Sequence, residues 1–361
     1  MHKTLATAIA ALMMTTTMAV AQSIVFVPEG SANTVLMVNA ETGEAMKRIT
    51  GLEAVHGLSG APGVPYLVAG SYAETDREAI VEFTQPEDVS EDEHAAHHAK
   101  PADKPIGPAD AGISILSILD AASGEILRRI EVPGAVHHTA VSPDGRFAVA
   151  THPSGDGISV IDLTTFKLIA FVPTGSIPNY AAFGPDPSLV YVSNAGNGTI
   201  SEVDLERGIV RRNMVTGSGP EHIVVDADNA VLYAADVDAG KVLELSLNDG
   251  SVTRSFDIGG ELHGLDLSDD RTTLFVAGRG EDKIAAVTLS TGAIAFAPLS
   301  PEPYHLINVP GTGTLYVSSR AEPKVWIVDQ ATLSAVGEFP VEGEAHQMTV
   351  ISPDTDGSTH E

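Results

Sequence analysis

The stretch LVYVSNAGNGTISEVDLERGIVRRNMVTG (189–217) holds two runs of alternating apolar and polar residues, an Asn-Gly turn between them, and a third short run behind. Alternation with a period of two marks half-buried strands, and the Asn-Gly pair marks the turn that joins them. The same design recurs on both sides, as RFAVATHPSGDGISVIDLTTFKLIAFVPTG (146–175) and VLYAADVDAGKVLELSLNDGSVTRSFDIG (231–259). It returns as TLFVAGRGEDKIAAVTLSTG (273–292) and TLYVSSRAEPKVWIVDQATLSAVGEF (314–339). Each copy follows a further strand that ends in a turn such as Ser142-Pro143-Asp144-Gly145 or Gly184-Pro185-Asp186. Every unit thus carries four short strands.

The start of the first strand gives a landmark for the period. It falls at His138, Tyr180, His222, His263, His305 and His346, in steps of 42, 42, 41, 42 and 41 residues, with His56 as an earlier landmark. Four strands in that span are the mark of a propeller blade. Residues 1–21 read as a secretory signal peptide: Lys3, an apolar run from Leu5 to Met14, and Ala19-Val20-Ala21 before the cut. Without them, and without an insertion at 73–111, about 43 residues remain for each of seven units. Ser23 to Leu52 supplies three strands, and His346 to Pro353 supplies a lone first strand. Joined in one blade they close the ring and remove an exposed sheet edge. The expectation is an all-β, seven-bladed β-propeller forming a single domain over 22–361, exported and cleaved after Ala21 to a periplasmic monomer. No later stretch is apolar for long enough to span a bilayer.

YVSNAGNGTISEVDL with its preceding Gly-Pro-Asp turn resembles the YVTN-type propeller repeat of exported bacterial proteins. The resemblance covers essentially the whole mature chain and implies the fold. It leaves function open, because such propellers host enzymes, carriers and adhesion modules.

Composition narrows the chemistry. There is no cysteine, so any metal site must be built from His, Asp or Glu. The formal charge of −28 argues against nucleic acid or an anionic membrane as partner and favours a cation. The chain has no Gly-x-Ser-x-Gly elbow, no Cys-x-x-Cys-His haem attachment and no phosphate-cradling loop before a helix.

First strands line a propeller's central channel, so the landmark residues form a ring at one mouth. Six of the seven are His56, His138, His222, His263, His305 and His346, with Tyr180 as the seventh. A single histidine at this position serves as scaffold when it bonds a neighbouring blade. Six around one mouth concentrate imidazole nitrogens where zinc takes three or four ligands. The ligand set expected is a subset of adjacent ring histidines with Asp236. His152 and Asp236 are raised from the loop positions after the second strand, which also include Glu29, Asn194, Gly278 and Ser319. Asp156, Asp238 and Asp282 lie in those loops, and His137 and Glu221 precede ring residues. The insertion carries Glu87, Asp88, Glu91, Asp92 and Glu93 ahead of His94, His97 and His98. It reads as an acidic, solvated arm that gathers cations above the same mouth.

Together, the export signal, seven repeats, histidine-lined mouth and histidine-bearing arm resemble AztD-type periplasmic zinc metallochaperones. That resemblance implies a zinc carrier, not an enzyme, that delivers zinc to the solute-binding protein of an ABC zinc importer. A metal-dependent lactonase or hydrolase on a propeller scaffold is the enzymatic alternative, since such a mouth also activates water. A metal-free interaction propeller is the third.

Overall fold

The computed structural model describes residues 23–75, 106–108 and 110–352. The signal-peptide cut, most of the insertion with His94, His97 and His98, and the tail 353–361 lie outside the described residues. The described chain forms 28 strands, β1 to β28 in chain order, grouped in seven four-stranded antiparallel sheets. The molecule is a seven-bladed β-propeller. Among the described residues no helix is long and apolar enough to cross a membrane.

Ring closure follows the pattern read from the termini. Strand β28 (Thr349–Ile351) pairs with β1 (Ile24–Glu29), and β2 (Thr34–Asn39) and β3 (Ala45–Ile49) complete that blade. The register sets Ile24 opposite Ile351, Val25 opposite Val350 and Phe26 opposite Thr349. The buried Glu29 carboxylate ties the seam: it accepts from Thr34 Oγ1 at 2.7 Å, Arg48 Nε at 2.9 Å and the Glu342 amide at 2.7 Å. Burial alone would raise its pKa, but these bonds more than offset that and hold it below the usual carboxylate value. Glu29, one of the loop-position candidates, is therefore a closure residue.

The core is a ring of apolar seams rather than one centre. Because alternate strand residues face opposite ways, each blade packs one face on each neighbour. In β1, Phe26 joins the seam with Leu58, Leu67 and Leu119, whereas Val25 and Val27 join the seam with Val309, Tyr316 and Phe339. Seven such clusters run around the molecule. Outer-strand arginines add polar staples: Arg212 holds Glu202 and reaches the Leu247 carbonyl of the next blade, and Arg254 holds Glu244 and reaches the Leu289 carbonyl. A scaffold so packed presents the first-strand starts as fixed points around the axis.

Candidate metal centre

Each ring residue lies at or just before an innermost strand. His56 is in β4 (Val55–Ser59), Tyr180 in β12 (Pro178–Phe183), His222 in β16 (Pro220–Asp226) and His305 in β24 (Pro303–Val309). His138 precedes β8 (Thr139–Val141), His263 precedes β20 (Leu265–Leu267), and His346 precedes β28. Two glycines let neighbouring first strands approach. A Cβ on Gly57 would come within 2.9 Å of the His138 backbone, and one on Gly264 within 2.6 Å of the Leu306 amide nitrogen. Gly264 instead donates its N–H to the Tyr304 carbonyl of the next blade at 2.9 Å. His56 is thereby drawn towards His138, and His263 towards His305.

The six predicted histidines converge. Ring centroids are 4.4 Å apart for His222 and His305, 4.0 Å for His305 and His346, and 4.9 Å for His138 and His346. His56 stacks on His346 at 3.4 Å, and Tyr180 fits between His138 and His222 at 4.6 and 4.1 Å. Among the described residues three groups have ligating atoms all within 4.8 Å of one another: His56, His137 and His346; His138, His222 and His305; His263, His305 and His346. Two nitrogens on a tetrahedral zinc at 2.0–2.1 Å lie about 3.3 Å apart, so modest side-chain rotation suffices to close such a group on an ion.

The ring nitrogens show how the groups are prepared. His138 Nδ1 donates to the Asn179 carbonyl at 2.8 Å, which leaves Nε2 as the lone-pair nitrogen. That Nε2 is buried without a partner among the described residues, as are His222 Nε2, His137 Nδ1 and His346 Nδ1. His346 Nε2 meets the Tyr304 hydroxyl at 3.2 Å, and His263 Nε2 meets His305 Nε2 at 3.0 Å. A backbone or side-chain partner on one ring nitrogen, with the other left free, is how proteins orient metal-binding imidazoles. Burial also keeps these rings neutral. It pushes His56 and His222 down to about 3 and His137 to about 4, with neighbouring histidines adding to the effect at His56 and His222. His138, His263, His305 and His346 are held well below their ordinary value by burial first and by neighbouring histidines of the mouth second. Neutral imidazoles are the form a divalent cation needs.

Two predicted ligands do not join the cluster. His152 is fully buried, but its Nδ1 donates to the Gly134 and Ala135 carbonyls at 3.2 Å and its Nε2 accepts from Ser159 Oγ at 2.8 Å. Asp236 accepts from Ser218 Oγ on both oxygens, at 2.8 and 2.6 Å, and from the Ala239 amide at 3.2 Å. Both close the second strand on local loops, because that strand is one position farther from the axis than the first. Three residues enter instead. His137 is a ligand candidate with His56 and His346; Tyr304 stacks on His263 at 3.8 Å and 12°; Glu221 Oε2 lies 3.6 Å from His263 Nδ1. All three occupy the position before a ring residue; that register already marks His137 and Glu221 in the sequence, and applied to the seventh blade it would have marked Tyr304 as well.

Carboxylates gather at the rim of the mouth. Burial, then the charges of Glu261 and Asp238, pushes Glu221 up to about 7. Arg279 pairs with Glu261 at 2.8 Å and Arg320 pairs with Glu344, both guanidiniums lying over the Tyr304 ring. The Gln347 amide, next to His346, links the first strands that carry Leu58, Thr139 and Tyr180. Its oxygen accepts from the Leu58 and Thr139 amides at 3.1 and 3.0 Å, and its nitrogen donates to the Thr139 carbonyl at 2.9 Å and Tyr180 Oη at 3.3 Å. On its far side lies a cavity of about 570 Å³ with Tyr180, Asp266, Asn308 and Gln347 among its lining residues and no histidine.

No protein-family model and no curated protein matches the chain. Solved structures do. A candidate 6-phosphogluconolactonase from Bacteroides fragilis superposes with a TM-score of 0.69 at 15% identity, over 92% of this chain and 98% of that one. A second, from Bacteroides uniformis, gives 0.68 at 15% identity over 91% and 99%. Hydrazine synthase from Kuenenia stuttgartiensis gives 0.60 at 14% identity over 86% and 92%. The likeness is one of fold. At these identities it carries no activity across, and the function has to be argued from the histidines.

Proposed function

We propose that the protein is a periplasmic zinc carrier that receives the ion at the histidine mouth and hands it to the solute-binding protein of an ABC zinc importer. The observation that carries this reading is the set of four buried imidazole nitrogens without partners, on His137, His138, His222 and His346, converging in one mouth. Buried polar atoms left unpaired cost free energy, and an ion that accepts their lone pairs offsets it. An all-imidazole donor set suits zinc and copper better than calcium or magnesium, which take oxygen ligands. The absence of a carboxylate from all three groups suits a cargo that must leave again, since neutral ligands hold a divalent ion less firmly than charged ones.

The test is metal analysis and zinc titration of untagged mature protein. The expected result is a site tight enough to survive gel filtration and lost when His138, His222 and His305 are replaced together. Protein that folds yet binds no zinc under these conditions overturns the carrier. Transfer is checked by mixing the zinc-loaded protein with the apo solute-binding protein and following the ion.

The enzymatic reading draws on the fold likeness to the two candidate 6-phosphogluconolactonases. It needs an open metal position bearing water beside a substrate cleft. Lactone hydrolysis that appears with zinc and vanishes in the same triple variant would favour it over transport.

A further inference from the structure

The three ligand groups are not independent. His56, His137 and His346 share no member with His138, His222 and His305, while the third group borrows His346 from the first and His305 from the second. They also differ in depth: His56 and His137 are half-buried, whereas every member of the second group is buried. Each of the two disjoint groups holds a pair of buried unpartnered ring nitrogens, on His137 and His346 in the outer one and on His138 and His222 in the inner one.

We propose that the mouth is a ligand-exchange relay for a single ion, which loads at His56, His137 and His346 and moves inward to His138, His222 and His305 by swapping ligands through His263, His305 and His346. This rests on the metal-carrier reading of the mouth. His346 stays bound as the ion leaves the outer group, and His305 is already bound as it reaches the inner one. No step therefore returns the ion to water, and one shared ligand is retained at each transfer. The contact between His263 Nε2 and His305 Nε2 must open for the middle set to form, and both nitrogens then face the ion. Two divalent ions a few ångströms apart, with no carboxylate between them, repel strongly in a buried site. Occupancy is thus one ion at a time. The Gln347 amide is satisfied on all four hydrogen bonds and offers no free ligand atom, and no histidine lines the cavity it borders, so the relay ends at the inner group and the ion departs through the mouth by which it came.

The experiment compares two double variants of the mature chain in zinc titration and in stopped-flow exchange with a fluorescent chelator. His56→Gln with His137→Gln should keep the equilibrium affinity within about threefold and slow both loading and release at least tenfold. His138→Gln with His222→Gln should lower affinity at least a hundredfold while loading stays fast. The relay is overturned if the outer variant loses as much affinity as the inner one, if its exchange rates match the parent, or if two zinc ions occupy the mouth together. Should either double variant fail to fold, His137→Gln and His222→Gln singly carry the same comparison. A parent protein that binds no zinc sinks the carrier reading itself, which is a different result from zinc binding with unaltered rates.

Discussion

Acidification from pH 8 to pH 5 should destabilise the metal-free protein through its buried histidines. In the unfolded chain each imidazole titrates near 6.5. In the folded mouth burial holds His56, His137 and His222 at about 3, 4 and 3, and His138, His263, His305 and His346 well below their ordinary value. Below about pH 6.5 the unfolded state therefore binds protons that the native state refuses, and stability falls with pH. The difference accumulates at about 1.4 kcal/mol per pH unit, so at pH 5 His56, His137 and His222 each cost about 2 kcal/mol, about 6 together, and the other four act in the same direction. Two carboxyls act in the opposite sense. Burial pushes Glu221 up to about 7, helped by Glu261 and Asp238, and burial pushes Asp266 up to about 6. They bind protons in the native state first and return about 4 kcal/mol at pH 5. His56, His137 and His222 alone outweigh that return by about 2 kcal/mol, and His138, His263, His305 and His346 deepen the loss. With an unfolding entropy near 2.1 cal/mol/K per residue over roughly 300 folded residues, Tm should drop by at least about 3 °C. Differential scanning calorimetry of EDTA-treated protein measures this directly. A Tm that stays level between pH 7.5 and pH 5 refutes the neutral buried mouth. So does a variant with His56, His137 and His222 all changed to Gln that keeps the parent slope, because it should lose roughly 6 kcal/mol of the dependence.

Other perturbations test the scaffold and the orientation of the ligands. Ending the chain at Gly343 removes β28 and the pairing of Ile351, Val350 and Thr349 with β1; aggregation or a large fall in Tm is expected, and a truncated protein melting at the parent temperature would contradict the closure. Glu29→Ala leaves the Arg48 guanidinium and the Glu342 amide without their carboxylate; a loss of about 3–5 kcal/mol should appear in urea unfolding. Tyr304→Phe keeps the stack on His263 but removes the hydroxyl at His346 Nε2. Zinc affinity should fall about tenfold with Tm little changed, and an unaltered affinity means the hydroxyl does not orient His346.

Much of this was legible in the amino-acid order, because a propeller is a periodic object. Once strands recur every 41 or 42 residues, their starts must stand around one axis, and the residue at each start is known without coordinates. Six histidines at that position therefore predict a histidine mouth, and a missing first strand at one terminus with a spare one at the other predicts the closing blade. Periodicity says nothing about where a side chain turns once the strand is irregular. His137 and His138 are consecutive, and alternation would send them to opposite faces. The regular strand begins only at Thr139, so both rings reach the mouth, 4.2 Å apart. His152 stands out in sequence among the loop positions, but its two nitrogens are taken by Gly134, Ala135 and Ser159. Asp236 was likewise committed to Ser218. Which nitrogen each ring leaves free depends on partners such as Asn179 and Tyr304, contributed by other blades. Register is a property of the repeat and can be read from one chain; a free lone pair is a property of the neighbours and exists only once the ring has closed.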